Sequence, residues 1–318
     1  MSYFHLNLIL KGKLTVCCLL MLPAIPLNAQ REAKQIGDFK ESISLNEHLR
    51  GTKRTLQYRP DGDEFVCVNG KNRYTRALYG SHSPFRVETS DRPVFAFYNN
   101  GRGGNISFKV ILRDGTELAL DCTGHCESRY SAGKRTYYLT DPSWGKGELR
   151  ISVLALADMD GAIWRFSPSN MPKGAILRWQ HGGATGKRLS RNGDMGVDPA
   201  DCFELPVEAT DLVTGELPLQ KEVYLVRGEV PEDYNVRKLY QQAEAASLAL
   251  ASHLKIETPD PYLNTLGGAL VAAADGIWDG QVWLHGAIGW RMPLSGWRAG
   301  YTGDALGWHD RARTHFDA

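Results

Sequence analysis

The feature that most constrains this chain is a change of texture near residue 230. From Leu56 to about Val230, short apolar or alternating runs are separated by turn residues. Phe65–Val68, Pro93–Tyr98, Asn105–Leu112, Glu117–Asp121, Arg135–Leu139, Glu148–Leu154, Gly161–Phe166, Ala175–Trp179 and Lys221–Val226 all have strand length and composition. Asn69-Gly70 and Asp114-Gly115 are hairpin-turn dipeptides. Gly101–Gly104 reads as a further hairpin turn, because it lacks the Lys-Ser/Thr ending of a phosphate loop. His181-Gly-Gly183 with Thr185-Gly186-Lys187 reads as an extended polar loop able to reach a neighbouring domain. Many short strands with no helical pattern between them predict an antiparallel β-sandwich over 56–230, and exclude a parallel α/β sheet.

Beyond Asn235 apolar residues recur at helical spacing. Val236, Leu239, Tyr240, Ala243, Ala246 and Leu250 predict a linker helix within 231–256. Asp260 then offers an N-cap with Pro261 at the first helical position. The stripe Tyr262, Leu266, Ala269, Leu270, Ala273 and Ile277 predicts a second helix, closed by Gly280 at C′. A third helix is expected over 303–316, with Asp304 at its N-terminus. The expected class is therefore multidomain α and β: a sandwich, a linker helix, and a helical segment over 257–318.

The first residues read differently. Lys11 and Lys13 precede the apolar run Leu14–Leu22, followed by Pro23, Pro26 and a small residue at Ala29. This is the pattern of a secretory signal peptide over 1–29, with 30–55 as a lead-in to the sandwich. Val16 before Cys17 fits lipoprotein processing poorly. The chain is expected to be secreted or periplasmic, with no membrane span once the signal is removed. Lys plus Arg number 37 and Asp plus Glu 36; loss of Lys11 and Lys13 leaves 35 against 36. So balanced a charge gives no footprint for nucleic acid. Cys67, Cys122, Cys126 and Cys202 remain after cleavage, as free buried thiols or with a disulfide among them. Cys122, His125 and Cys126 lack the fourth ligand of a structural zinc site. No metal or cofactor is expected.

Five of the eight tryptophans, Trp278, Trp283, Trp290, Trp297 and Trp308, lie in the last 62 residues. Trp278, on a helix, is expected to fill a core. The loop after it carries Trp283, His285, Trp290, Arg291, Trp297, Arg298 and Tyr301. Indole faces match the apolar faces of sugar rings, and Arg and His donate hydrogen bonds to hydroxyls or a carboxylate. These residues predict a binding site for an oligo- or polysaccharide.

The segments Asp260–Leu263, Trp283–Gly286, Gly289–Pro293, Gly296–Tyr301 and Gly307–Arg313 resemble the opening of a six-hairpin (α/α) toroid glycosidase. They are similar to Bacteroidetes-type secreted enzymes that carry an uncharacterised β-sandwich region before the toroid. The resemblance implies that Trp283, His285, Trp290, Arg291, Trp297 and Arg298 line a sugar subsite, with Tyr301 and Asp304 as the next candidates. It also implies a ring of twelve helices, of which this sequence is expected to hold at most two. Glycoside hydrolysis needs two carboxylates flanking the bond, and Asp275, Asp279, Asp304 and Asp310 do not form such a pair by spacing. Asp304 is a weak catalytic candidate. Two alternatives stand beside a glycoside hydrolase-like reading. One is a non-catalytic carbohydrate-binding sandwich using Trp144, Trp164 or Trp179. The other is a polysaccharide lyase using Tyr301, His285 and Arg298.

Overall fold

The computed structural model describes residues 57–99, 102–188, 212–231, 233–286 and 291–318. The expected signal peptide, the lead-in, Cys202 and Trp290 lie outside them, as does the side chain of Trp297. Among the described residues the strands are β1 (Arg59–Asp61), β2 (Glu64–Val68), β3 (Arg76–Tyr79), β4 (Arg86–Thr89), β5 (Phe95–Asn99), β6 (Arg102–Ile111) and β7 (Glu117–Ala119). They continue with β8 (His125–Ser131), β9 (Lys134–Thr140), β10 (Glu148–Ala155), β11 (Gly161–Ser169), β12 (Ile176–Arg188), β13 (Val213–Pro218) and β14 (Val223–Gly228). One sheet runs β1-β2-β8-β9-β10-β11-β14 and the other β13-β12-β6-β5-β4-β3, with β7 on β6. Among the described residues the strand pairings in both sheets are antiparallel.

The two sheets enclose an aromatic core. Phe95 meets Phe108, Tyr137 and Trp164 edge-to-face at 5.8, 5.8 and 5.6 Å, the geometry favoured by the ring quadrupole. Alternation within strands puts these residues inside. In β10, Leu149, Ile151 and Val153 are buried, while Arg150 turns outward. β8 alternates equally well, with Cys126, Ser128 and Tyr130 inward and Glu127 and Arg129 outward. It escapes a hydrophobicity scan because two of its three inward residues are small or polar.

Two turn expectations need correction. Asn69-Gly70 does not close a hairpin. β2 pairs with β1 and β8, and the chain leaves Val68 for β3 in the opposite sheet. Asn69 adopts φ 51°. Its amide donates to the Cys126 carbonyl (2.8 Å) and its side-chain oxygen accepts from the Cys126 amide (2.9 Å), so a residue chosen for turning extends the ladder. His181, Gly182 and Gly183 are not loop residues but belong to the 13-residue β12 and pair with Ile106, Asn105 and Gly104 of β6, whereas 184–187 form an irregularity in the pairing before Arg188 meets Arg102. Gly103 and Gly104, expected in a turn, are already in β6, where Asn99 pairs with Arg102, and Gly101 lies outside the described residues. Asp114-Gly115 does turn β6 into β7, with Gly115 at φ 88°.

Among the described residues four α-helices follow: α1 (Val236–Ala251), α2 (Pro261–Gly276), α3 (Gly296–Ala305) and α4 (His309–Asp317). α1 lies on the outer face of the first sheet. Its Tyr240 and Ala243 pack against Leu154, Leu156 and Ile163, and Ser247 donates to the Ala132 carbonyl at 2.5 Å. The Asp260 side chain accepts from the Tyr262 amide at 2.8 Å, with Pro261 in the first turn, as the sequence leads one to expect. α2 ends at Gly276, one turn short of Gly280. Gly280 (φ 100°) sits instead in a turn where the Asp279 carboxylate accepts from the amides of Gln281 and Val282 at 2.9 and 2.8 Å. The expected third helix is two: α3 starts at Gly296, and the chain reverses at Gly307 (φ 74°) into α4. Asp304 therefore stands at the end of α3 and caps no N-terminus.

α2 is shared between two cores. Tyr262, Leu266 and Ala269 pack on the sandwich. Val271 and Ala274 pack with Trp278, Trp283, Leu306, Trp308 and Ala312. Gly276 makes the close approach that docks the helix end, since a Cβ there would overlap the Tyr79 ring. Gln57–Ala318 accordingly forms one compact unit.

Candidate functional site

A cleft of about 240 Å³ opens at the seam between sandwich and helices. Tyr79, His82 and Asp158 line it from the sandwich, and Ser247, Asp275 and Arg311 from α1, α2 and α4. Its polar centre is a three-residue bridge. Asp275 Oδ1 lies 3.2 Å from His82 Nε2 and accepts from Arg311 Nη1 at 2.6 Å.

Each partner is held by its own neighbours. His82 sits in the short connection from β3 to β4. The hydroxyls of Ser81 and Ser83 on either side of it both donate to Asp160 Oδ1, which ties the connection to the turn before β11. Ser83 also accepts from the Phe85 amide at 3.0 Å. Asp275 occupies the last turn of α2, fixed by the Gly276–Tyr79 contact. The Arg311 guanidinium lies 4.5 Å from the Trp308 ring centroid and 5.6 Å from that of Trp278, so stacking orients it.

The electrostatics follow from this arrangement. Burial alone would raise the Asp275 carboxyl, but hydrogen bonds and charge from His82 and Arg311 outweigh it and hold the group below its ordinary value. Asp275 is thus a locked anion that orients the imidazole, not a proton donor. A carboxylate behind a histidine is the arrangement by which a base is steered toward a substrate hydroxyl. The depressed value also makes a stability statement. The contribution is complete above the ordinary value of 3.8 and is lost as pH falls through the lower folded value. Asp275→Asn should cost about 1–3 kcal/mol at pH 7. The gap to wild type should close as both are acidified below that range, as urea midpoints at several pH values will show. A gap unchanged at the lowest pH would refute the ion-bridge account.

The residues singled out by sequence fall elsewhere. Trp283 is 1% exposed, so no ring face is open to a sugar. It lies 4.6 Å from Trp278 and stacks on Trp308, and its Nε1 donates to the Ala274 carbonyl at 3.1 Å. That role corrects the subsite assignment: Trp283 is a core residue, as Trp278 is. His285 is exposed and Arg291 half-buried. They flank a short antiparallel pairing in which the His285 amide donates to the Met292 carbonyl at 2.9 Å. Burial lowers Arg291 from its usual value, opposed by the nearby Asp279 charge. Arg298 and Tyr301 lie three apart on α3, with Tyr301 71% exposed. Asp304 meets His309 Nδ1 at 3.0 Å on the surface. Asp310 pairs with Arg313 at 3.3 Å, whereas Arg311 turns away to Asp275. None of the candidates Trp283, His285, Arg291, Arg298, Tyr301 and Asp304 borders the seam cleft.

The sandwich tryptophans are closed as well. Trp144, Trp164 and Trp179 are 2, 0 and 9% exposed, which removes them as glycan platforms. Cys67, Cys122 and Cys126 are free thiols, with Cys67 and Cys126 buried and Cys122 exposed. His125 and Cys126 point to opposite faces of β8, so the Cys122–Cys126 stretch does not converge on one point.

The His82–Asp275–Arg311 bridge was not legible in the sequence. His82 and Asp275 are separated by 193 positions, and Ser81-His82-Ser83 carries no motif. Residues 100–229, from the start of β6 to the end of β14, match a family described as a domain of unknown function (DUF4450). No curated protein matches the chain. Among the described residues no helix is long and apolar enough to cross a membrane.

Proposed function

We propose that this chain is a secreted, glycoside hydrolase-like protein that acts on or binds polysaccharide, exported by a signal peptide over 1–29. In this reading α1 is the linker helix, α2–α4 are helices of an (α/α) toroid laid against the β-sandwich, and the seam cleft is where sugar hydroxyls are held. The observation that carries it is the His82–Asp275–Arg311 bridge, which sets an oriented imidazole and a stacked guanidinium in one open cleft. Imidazole and guanidinium donors beside aromatic rings suit a neutral, hydroxyl-rich ligand. The share of these residues is binding. Asp275, held ionised by the Arg311 guanidinium and its hydrogen bond with His82, is unsuited to the acid role of a glycosidase.

Calorimetric titration of the whole chain against a panel of neutral and acidic oligosaccharides tests the reading. Binding is expected with at least one class, and His82→Ala should weaken cleft binding by about tenfold. Absence of binding across the panel would sink the carbohydrate assignment. Binding indifferent to His82→Ala would move it away from the cleft.

A further inference from the structure

The outer face of the first sheet carries a second cluster, distinct from the seam. Antiparallel register sets Glu127, Tyr138, Arg150 and Ser167 in one row across β8, β9, β10 and β11. The adjacent row runs Thr136, Ser152, Arg165 and Tyr224. All point outward, because the alternate residues Tyr137, Leu139, Leu149, Ile151, Trp164 and Phe166 fill the core. α1 covers the neighbouring Leu154 and Ile163, and Arg165 lies 4.3 Å from the ring centroid of Tyr240 at its edge. Beyond that edge the face opens. Tyr138 is 38% exposed, with Arg150 5.3 Å and Arg129 5.8 Å from its ring centroid.

The cations on this face are unequally matched. Arg129 is saturated by Asp61, Glu64 and Glu127 at 2.9, 3.1 and 2.6 Å. Lys134 pairs with Glu244 at 3.1 Å. Glu222 already accepts from Tyr224 at 2.6 Å and from Ser167 at 3.4 Å. Arg150 and Arg165 are different: neither has an ion-pair partner among the described residues, and each buries its Nε with no acceptor. An unmet buried donor is costly to a fold. The two are diagonal neighbours on paired strands, a spacing of about 7–8 Å; Arg150 lies 5.3 Å from the centroid of the exposed Tyr138 ring and Arg165 4.3 Å from that of Tyr240.

We propose that this face is a binding site for an acidic polysaccharide, with its carboxylate or sulfate groups on Arg150 and Arg165 and a sugar ring against Tyr138. A planar guanidinium presents paired donors that match the oxygens of either anion. An aromatic face beside it takes the apolar side of the ring. The site rests on the carbohydrate reading above, but names the ligand class and a surface separate from the cleft.

The test titrates the whole chain with polygalacturonate, dextran sulfate and neutral dextran. Binding to at least one acidic polymer is expected, weakening as salt rises from about 50 to about 500 mM, and the carboxylate and sulfate arms decide which anion is preferred. The pair Arg150→Gln/Arg165→Gln should lose about tenfold in affinity at an unchanged melting temperature, and Tyr138→Ala several-fold. Should the glutamine pair fold poorly, Arg150→Lys/Arg165→Lys keeps the charge and discards the planar fork. It should still lose at least about threefold. Wild-type affinity in folded variants would overturn the proposal, as would failure of both acidic polymers. If neutral sugars still bind and respond to His82→Ala, the carbohydrate reading survives that failure; if nothing binds, both fall together.

Discussion

Asp91→Ala is expected to destabilise the fold by about 3–5 kcal/mol, because it strands a buried charge. Asp91 and Arg135 both have side chains with 0% exposure, between the two sheets, with Oδ1 and Nη2 3.6 Å apart. The carboxylate also accepts from the Tyr58 hydroxyl, from Thr75 Oγ1 at 3.3 Å and from the Asn72 amide at 2.9 Å. Arg135 donates to the Ser90 carbonyl at 3.2 Å and to Ser128 Oγ at 3.0 Å. Its Nε and Nη1 have no acceptor among the described residues, so it has little reserve once Asp91 is gone. Arg76 lies close by, 5.0 Å from the Tyr58 ring centroid, and burial together with the Arg135 charge lowers it from its usual value. Removal of the one carboxylate therefore leaves two like charges confined together. Urea unfolding measures the loss. Asp91→Ala/Arg135→Met should recover much of it, since apolar packing replaces buried ion pairs well. A loss below about 1 kcal/mol, or a double variant that merely sums the two singles, would contradict the account.

Trp283→Ala should cost about 3–5 kcal/mol through the cavity it leaves. The indole fills the space between Trp278, Trp308 and α3, where a Cβ on Gly303 would lie 2.5 Å from Trp283 Cη2. Its backbone amide also donates to His315 Nδ1 at 3.1 Å, which joins the loop to α4. Near-ultraviolet circular dichroism and thermal unfolding should report disordered packing around Trp278 and Trp308. Sugar affinity should change only as far as folding does. The opposite pattern, an unaltered melting temperature with lost sugar binding, would restore Trp283 to the subsite that its neighbours in sequence suggest.

Local chemistry was well written in the sequence. The Asp260-Pro261 start of α2 and the Asp114-Gly115 turn are each settled by two adjacent residues, and both appear where expected. Signals that depend on distant partners were harder. Asn69-Gly70 has turn chemistry, but the next strand available to the chain lies in the other sheet. Gly182 and Gly183 read as a loop because strand propensity is low there, yet pairing with β6 extends β12 through both. Trp283 looked like a binding residue because glycines and charges surround it. What fixes its role is Trp308, 25 positions later, and the small Gly303 that admits its ring. Similarly, Arg311 stands beside Asp310 in sequence, but helix geometry turns it toward Asp275 on another element. The seam cleft had no linear signature because its centre joins one connection of the sandwich to two helices.

The buried thiols bear on how the chain withstands oxidation. Burial pushes Cys126 up to about 12 and raises Cys67. At neutral pH only about one Cys126 in 10⁵ would be a thiolate, the form that attacks a disulfide. Once folded, these two sulfurs are chemically quiet even in an oxidising compartment. Any cross-linking in which they take part belongs to the time before the two sheets close.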